Sequence, residues 1–177
     1  MTELQAAIAR VQLRKLDSIL TQMRASHARI EKYVTSLGLK IRPHVDLQNP
    51  GDTGYYCIFY FPCEGLSEKE KITKGRRIAA ALAEYNLHPW FMHDFEIHVY
   101  YNLTPLVAKT PMNNGCPWEC PKNEFHIQHQ YSRGTLPHLD EYLITSIGIN
   151  IPSKLTVEQE AQIIAVLGYV NENFIKA

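Results

Sequence analysis

Two groups of residues in this chain carry side chains suited to chemistry. The first is Cys116-x3-Cys120-x5-His126-x2-His129, two thiols and two imidazoles close together. Zinc takes such ligands in tetrahedral sulfur and nitrogen sites. The spacing is unusual for that purpose, because His126 follows Cys120 too closely for a finger helix to intervene. The plainer account is a loop braced by Pro and Trp whose thiols are buried or free. The second group runs from His93 to Asn102. His93, Asp94, Glu96 and His98 are near neighbours, but in an extended chain His93 and His98 point to opposite sides, so joint ligation of a metal needs a bend. Asp94 and Glu96 read as solvent-facing. His98, Tyr100, Tyr101 and Asn102 fit better as a pocket rim, since polar-tipped aromatics recognise hydroxyl-rich ligands by hydrogen bonding. Ordinary aromatic packing is the alternative. There is no G-x-S-x-G, no G-x-x-x-x-G-K-[ST] and no G-x-G-x-x-G, so no self-sufficient active site is written in the sequence.

The elements that must position these residues are mostly well marked. A helical pattern opens at Met1 and runs to about Leu37, with no Pro or Gly before Gly38. Its apolar residues form two series: Leu4, Ile8 and Val11, then Leu13, Leu16, Leu20, Met23, His27, Ile30 and Val34. At about 100° per residue the two faces point about 120° apart. A helix that changes its buried face packs against two bodies. Leu39 to His44 reads as a short strand, and Gln48 to Gly54 as a turn cluster. Tyr55 to Phe61 is a run of β-formers stopped by Pro62. Its lack of alternation implies burial on both faces or a central place in a sheet. Ser67-Glu-Lys-Glu70 is a capping box opening a helix to about Asn86, with Ile72, Ala79 and Leu82 inward. His88 to Met92 can return as a strand. Leu136 to Leu143 is a short helix with Pro137 near its start, and Ser146 to Ile151 a strand closed by Pro152. Thr156-Val-Glu-Gln159 caps a last helix with Ile163, Leu167, Val170 and Phe174 on one face. From His93 to Arg133 no period holds, and a long aromatic-rich irregular segment inside a domain is usually functional or a partner contact. The expected fold is α/β of the α+β kind: a long N-terminal helix, then a small sheet with helices over one face.

Composition narrows the function classes. The chain has 177 residues, 45% hydrophobic and 20% charged, with 18 basic side chains balancing 18 acidic ones. That balance gives no electrostatic footprint for nucleic acid or an anionic membrane. No run approaches the roughly 18 apolar residues of a membrane span, and the N-terminus is amphipathic rather than a signal segment, so the expected compartment is the cytoplasm. Four Cys in a chain of this size do not suggest a disulfide scaffold.

The segment Met1 to Asp17 closely resembles part of the sugar aminotransferases of the DegT/DnrJ/EryC1/StrS family. In those pyridoxal-phosphate enzymes an Asn-x-Arg-Met-(Thr/Ser)-Glu-x-Gln-Ala-Ala stretch leads into a Gln-Leu-x-x-Leu-Asp helix joining the large cofactor domain to the small C-terminal one. Further matches follow in order: the Gly-Cys-Pro-Trp-x-Cys-Pro loop at Gly115–Pro121, Leu136-Pro-x-x-Asp140-x-x-Leu143, Ser146-Ile-x-Ile149, and Leu155-Thr-x-Glu158 before the last helix. The resemblance implies the C-terminal domain of an aspartate-aminotransferase-type (type I) fold. Residues 1–37 would be the interdomain linking helix and 38–177 the small domain, with the large pyridoxal-phosphate domain absent. It implies transfer of an amino group, often from glutamate, to a keto- or aldehyde-sugar in cell-surface polysaccharide or secondary-metabolite biosynthesis. The Schiff-base lysine would lie upstream of Met1, so this chain alone is expected to be inactive and to bind no cofactor, with no catalytic residue of its own. The His/Tyr segment of the family falls on His93, His98, Tyr100, Tyr101 and Asn102, which become the substrate-binding candidates. Partners implied are the large domain, a small-molecule sugar and a second subunit, the family being homodimeric. Two other readings stand beside this one: a stand-alone, non-enzymatic binding or dimerisation module, and a small metal-binding domain on Cys116, Cys120, His126 and His129.

Overall fold

The computed structural model describes residues 2–42, 51–112, 115–120, 122 and 129–176. Its core is a four-stranded antiparallel sheet of β1 (Lys40–Ile41), β2 (Tyr56–Tyr60), β3 (Pro89–Phe91) and β4 (Ser146–Asn150), in the order β1-β2-β4-β3. The two richest β-forming runs take the centre, and Cys57, Ile58 and Phe59 are buried in succession. Both faces of β2 are therefore covered, as its unbroken apolar run implies.

On one face the row Cys57, Phe59, Ile147, Ile149 and Phe91 meets three helices: α2 (Leu16–Ser36), α3 (Glu68–Glu84) and α6 (Val157–Val170). Met23, Ile30 and Val34 come from α2, Ile78 and Leu82 from α3, and Ile163, Leu167 and Val170 from α6. Ile72 and Ala79 lie at the edge of this core, half-buried. The capping boxes at Ser67 and Thr156 both form. After Val170 the chain continues through a π-turn, Asn171–Ile175, with Phe174 packed against the core. Arg29 on α2 grips Glu160 on α6 in a bidentate pair at 2.5 and 2.7 Å.

The single N-terminal helix expected from the sequence is two helices. α1 (Glu3–Leu13) is capped by Thr2 and Gln5, and the chain turns at Arg14–Lys15 before α2 begins. The break falls where the apolar face changes. No residue of α1 is buried, and Leu4, Ile8, Val11 and Leu13 are exposed, while Met23, His27, Ile30 and Val34 of α2 are buried. Of the expected strand Leu39 to His44, only Lys40–Ile41 forms among the described residues; residues 43–50, including 48–50 of the expected turn cluster, lie outside them. Among the described residues, no helix is long and apolar enough to cross a membrane.

The sheet's second face positions the irregular segment. Gly148 lies between Ile58 and Trp90, where a Cβ would meet them at ordinary contact distances of 3.4 and 3.8 Å. Trp90 stacks on Phe95, with ring centres 5.4 Å apart, and meets Tyr56 edge-on at 4.2 Å. The segment is thereby held as three single 3-10 turns, Met92–Asp94, Glu96–His98 and Tyr100–Asn102, followed by the short α4 (Thr104–Val107). The extended geometry that would part His93 from His98 does not occur. The aromatic side chains seat the segment on the sheet instead, with Val99 buried beneath.

Candidate functional site

The candidate residues between His93 and Asn102 divide among three settings. Tyr100 and Tyr101 meet edge to face, ring centres 5.1 Å apart. The Tyr100 hydroxyl donates to the Asp140 carboxylate, at 2.9 Å to Oδ1 and 3.1 Å to Oδ2, and accepts the Leu136 N–H at 3.3 Å. Asp140 also accepts the Gly134 N–H at 2.7 Å through Oδ2. Asp140 lies in the first turn of α5 (Pro137–Thr145), which the fixed φ of Pro137 helps to start. One carboxylate thus ties the Tyr100 turn, the Gly134 loop and α5 together. Burial and the neighbouring Asp140 both push the Tyr100 phenol above its ordinary range, with burial the larger cause.

Beside this knot the Arg133 guanidinium lies 5.6 Å from the Tyr101 ring centre and pairs with Glu68 at 2.6 Å. Glu68, Arg133, Asp140 and Glu141 rim an open cleft of ≈ 420 Å³ floored by Pro137 and Ile144. A cation and carboxylates within one small cleft are suited to holding a polyhydroxylated ligand by directional hydrogen bonds, and Tyr100 and Tyr101 reach it only through their contacts with Asp140 and Arg133. In the sequence Asp140 stands out only as part of the α5 motif, Arg133 only as the end of the irregular segment and Glu68 only within the capping box, none of them as a site residue. An acidic residue one turn after Pro137 is the one local sign that could have drawn attention to Asp140.

His93 belongs to a different cluster. Its Nδ1 is 2.9 Å from Asp94, which takes both arms of Arg76 at 2.9 and 2.7 Å. Because a carboxylate only accepts, this contact requires the His93 proton on Nδ1 and leaves Nε2 as the ring's other nitrogen. The His93 ring also stacks on Phe91 at 5.7 Å. The guanidinium bonds and the His93 contact hold Asp94 down to about 2, the Arg76 bond being the largest cause. His98 is exposed and packs against Phe95 at 4.7 Å; Asn102 is exposed and donates to the Glu96 carbonyl at 3.1 Å. Neither joins the cleft residues.

The Cys/His loop splits as well. Cys116 and Cys120 are free thiols in one turn, and His129 is exposed. His126 lies outside the described residues. Among the described residues no three His, Cys, Asp or Glu side chains are grouped to hold a metal ion.

Lys71 lines a cleft of ≈ 520 Å³ together with Lys40, Tyr60 and Glu141, but its ammonium is bonded to Glu141 at 2.6 Å. That bond raises the lysine's pKa, holding it in the charged form that cannot act as an amine nucleophile. No step through the cofactor is assigned to this chain.

Comparison with known proteins finds neither a family model nor a curated protein that matches the chain.

Proposed function

We propose that this chain is the small, C-terminal domain of a cytoplasmic, homodimeric pyridoxal-phosphate-dependent sugar aminotransferase of the DegT type. In this reading α1 seats against a cofactor-bearing large domain, and the Arg133/Asp140 cleft beside Tyr100 and Tyr101 faces the sugar. The observation that carries the reading is α1 itself. A capped helix with Leu4, Ile8 and Val11 aligned and exposed, standing apart from a finished core, calls for a second body to cover it. The sequence likeness over Met1–Asp17 names that body. The α+β layering and the antiparallel sheet are consistent with such a domain without being specific to it. The reaction proposed is amino transfer from a donor such as glutamate to a keto- or aldehyde-sugar. The cofactor would supply the electron sink, and this chain part of the sugar's orientation.

The native gene product tests this. Isolated from its source with antibody raised against this chain, it should be a larger polypeptide, or a tight complex, with coenzyme absorbance that changes on adding glutamate. A native polypeptide of 177 residues with no coenzyme and no second chain attached would overturn the proposal and favour a stand-alone binding module.

A further inference from the structure

We propose that a cleft beside the first turns of α3 binds a small phosphate ester, with the phosphate held by Lys69, Lys74 and Arg77 and the organic part by Leu66 and Phe174. The cleft encloses ≈ 590 Å³, a size suited to a small molecule. The cations of α3 fall into two sets. Lys71 closes on Glu141 at 2.6 Å, and Arg76 on Asp94 at 2.7 Å. Lys69, Lys74 and Arg77 line the cleft instead. Among the described residues none of these three has an acidic side chain within ion-pair distance. The carboxylate that shares the cleft, Glu70, is already engaged. Its Oε2 accepts the Ser67 hydroxyl at 2.5 Å and the Ser67 N–H at 2.8 Å, as the capping box requires.

Three cations against one carboxylate leave a surplus of positive charge, and Lys74 and Arg77, neighbours on the helix surface, repel each other. A phosphate monoester carries about two negative charges at neutral pH. Arg77 can offer a planar fork to its oxygens, and the lysines act as point charges. A dianion therefore removes a repulsion that the fold otherwise carries. The apolar lining is fixed in place. Leu66 stands just before the Ser67 cap, and Phe174 comes from the π-turn Asn171–Ile175 that continues α6. The Phe174 ring is half-buried, seated on the core and tilted against Tyr169 at 6.2 Å. Single turns of π-helix are rare and gather at functional sites; this one brings an aromatic ring to a cationic cleft. That pairing favours an ester over inorganic phosphate. The cleft shares no lining residue with the Arg133/Asp140 cleft, and the proposal does not rest on the aminotransferase reading.

Calorimetric titration of the full chain with phenyl phosphate and, separately, with inorganic phosphate at low ionic strength tests this. Phenyl phosphate should bind saturably and several-fold more tightly than inorganic phosphate, and Phe174→Leu should erase that preference. Lys74→Gln with Arg77→Gln should weaken phenyl phosphate binding by about tenfold or more. Arg10→Gln with Arg14→Gln removes the same charge from exposed positions outside the cleft and should change it by less than about twofold. On the unsubstituted chain, NMR amide shifts caused by phenyl phosphate should centre on 67–77 and 171–175. An absence of saturable binding, equal affinity for the two anions, equal losses in the two double variants, or shifts confined to other segments would each overturn the proposal.

Discussion

Asp94 shows how far one well-placed cation moves a carboxylate. It accepts two bonds from Arg76 and one from His93, and is held to about 2. A carboxylate depressed in the folded state stabilises the fold fully above its unfolded value, near 3.9, and loses that contribution as the pH falls through its folded value. The Arg76–Asp94–His93 cluster should thus hold through mildly acidic conditions and fail between about pH 4 and pH 2. An NMR titration of the Asp94 carboxyl carbon should find its midpoint near the bottom of that window, and Arg76→Ala should return it toward the ordinary aspartate range. A midpoint unmoved by the substitution would mean that the guanidinium is not the cause. Asp94 is 41% exposed, so solvent screening keeps the effect on total stability small. Little of this could be read in the sequence. His93 and Asp94 are adjacent, but Arg76 sits a helix and a strand away, and the Tyr100–Asp140 bond joins residues forty apart. Only the tertiary fold makes those pairs.

The elements themselves were far more legible. Ser67 and Thr156 open their helices through capping boxes, and Pro62 and Pro152 stand just beyond the ends of β2 and β4. These are local signals and the structure keeps them. What local signals miss is close approach. Gly75 lies inside α3, where an alanine would ordinarily help the helix by about 1 kcal/mol. Here a Cβ would fall 2.4 Å from the Phe91 ring. The glycine lets α3 settle onto β3, the strand that leads into the Met92–Asp94 turn. Gly75→Ala should therefore destabilise the domain by about 1–3 kcal/mol, read as a lowered urea midpoint. Gly75→Ala with Phe91→Leu should recover part of the loss relative to the sum of the single changes. Strict additivity would show that the ring is not the obstacle. The break at Arg14–Lys15 is the opposite case. No Pro or Gly marks it, and only the change of apolar face hints that one straight helix would not serve both halves.

At the scale of the molecule, the core closes without α1. The face of α2 that carries Ile30 and Val34 is fully buried, whereas Ile8 is 54% exposed. Ile8→Asp should consequently leave the unfolding free energy from urea titration within about 0.5 kcal/mol of the parent. In light scattering the parent chain should self-associate through the Leu4/Ile8/Val11 stripe at high concentration, and Ile8→Asp should shift it toward monomer. A large loss of stability in that variant would place α1 within the cooperative core. A parent chain that scatters as a monomer throughout would remove the stripe as an association surface.

The pairing of β2 with β4 sets a timetable. These two strands form the centre of the sheet, and the whole of residues 61–145 lies between them. A chain emerging from a ribosome releases α1, α2 and β2 long before their central partner exists, and closing so long a loop is the slow kind of step in folding. Cys57 and Phe59 must then wait, uncovered on one edge, until Ile147 and Ile149 are made. Until β4 and α6 are made, the central strand β2 has no partner to close this core.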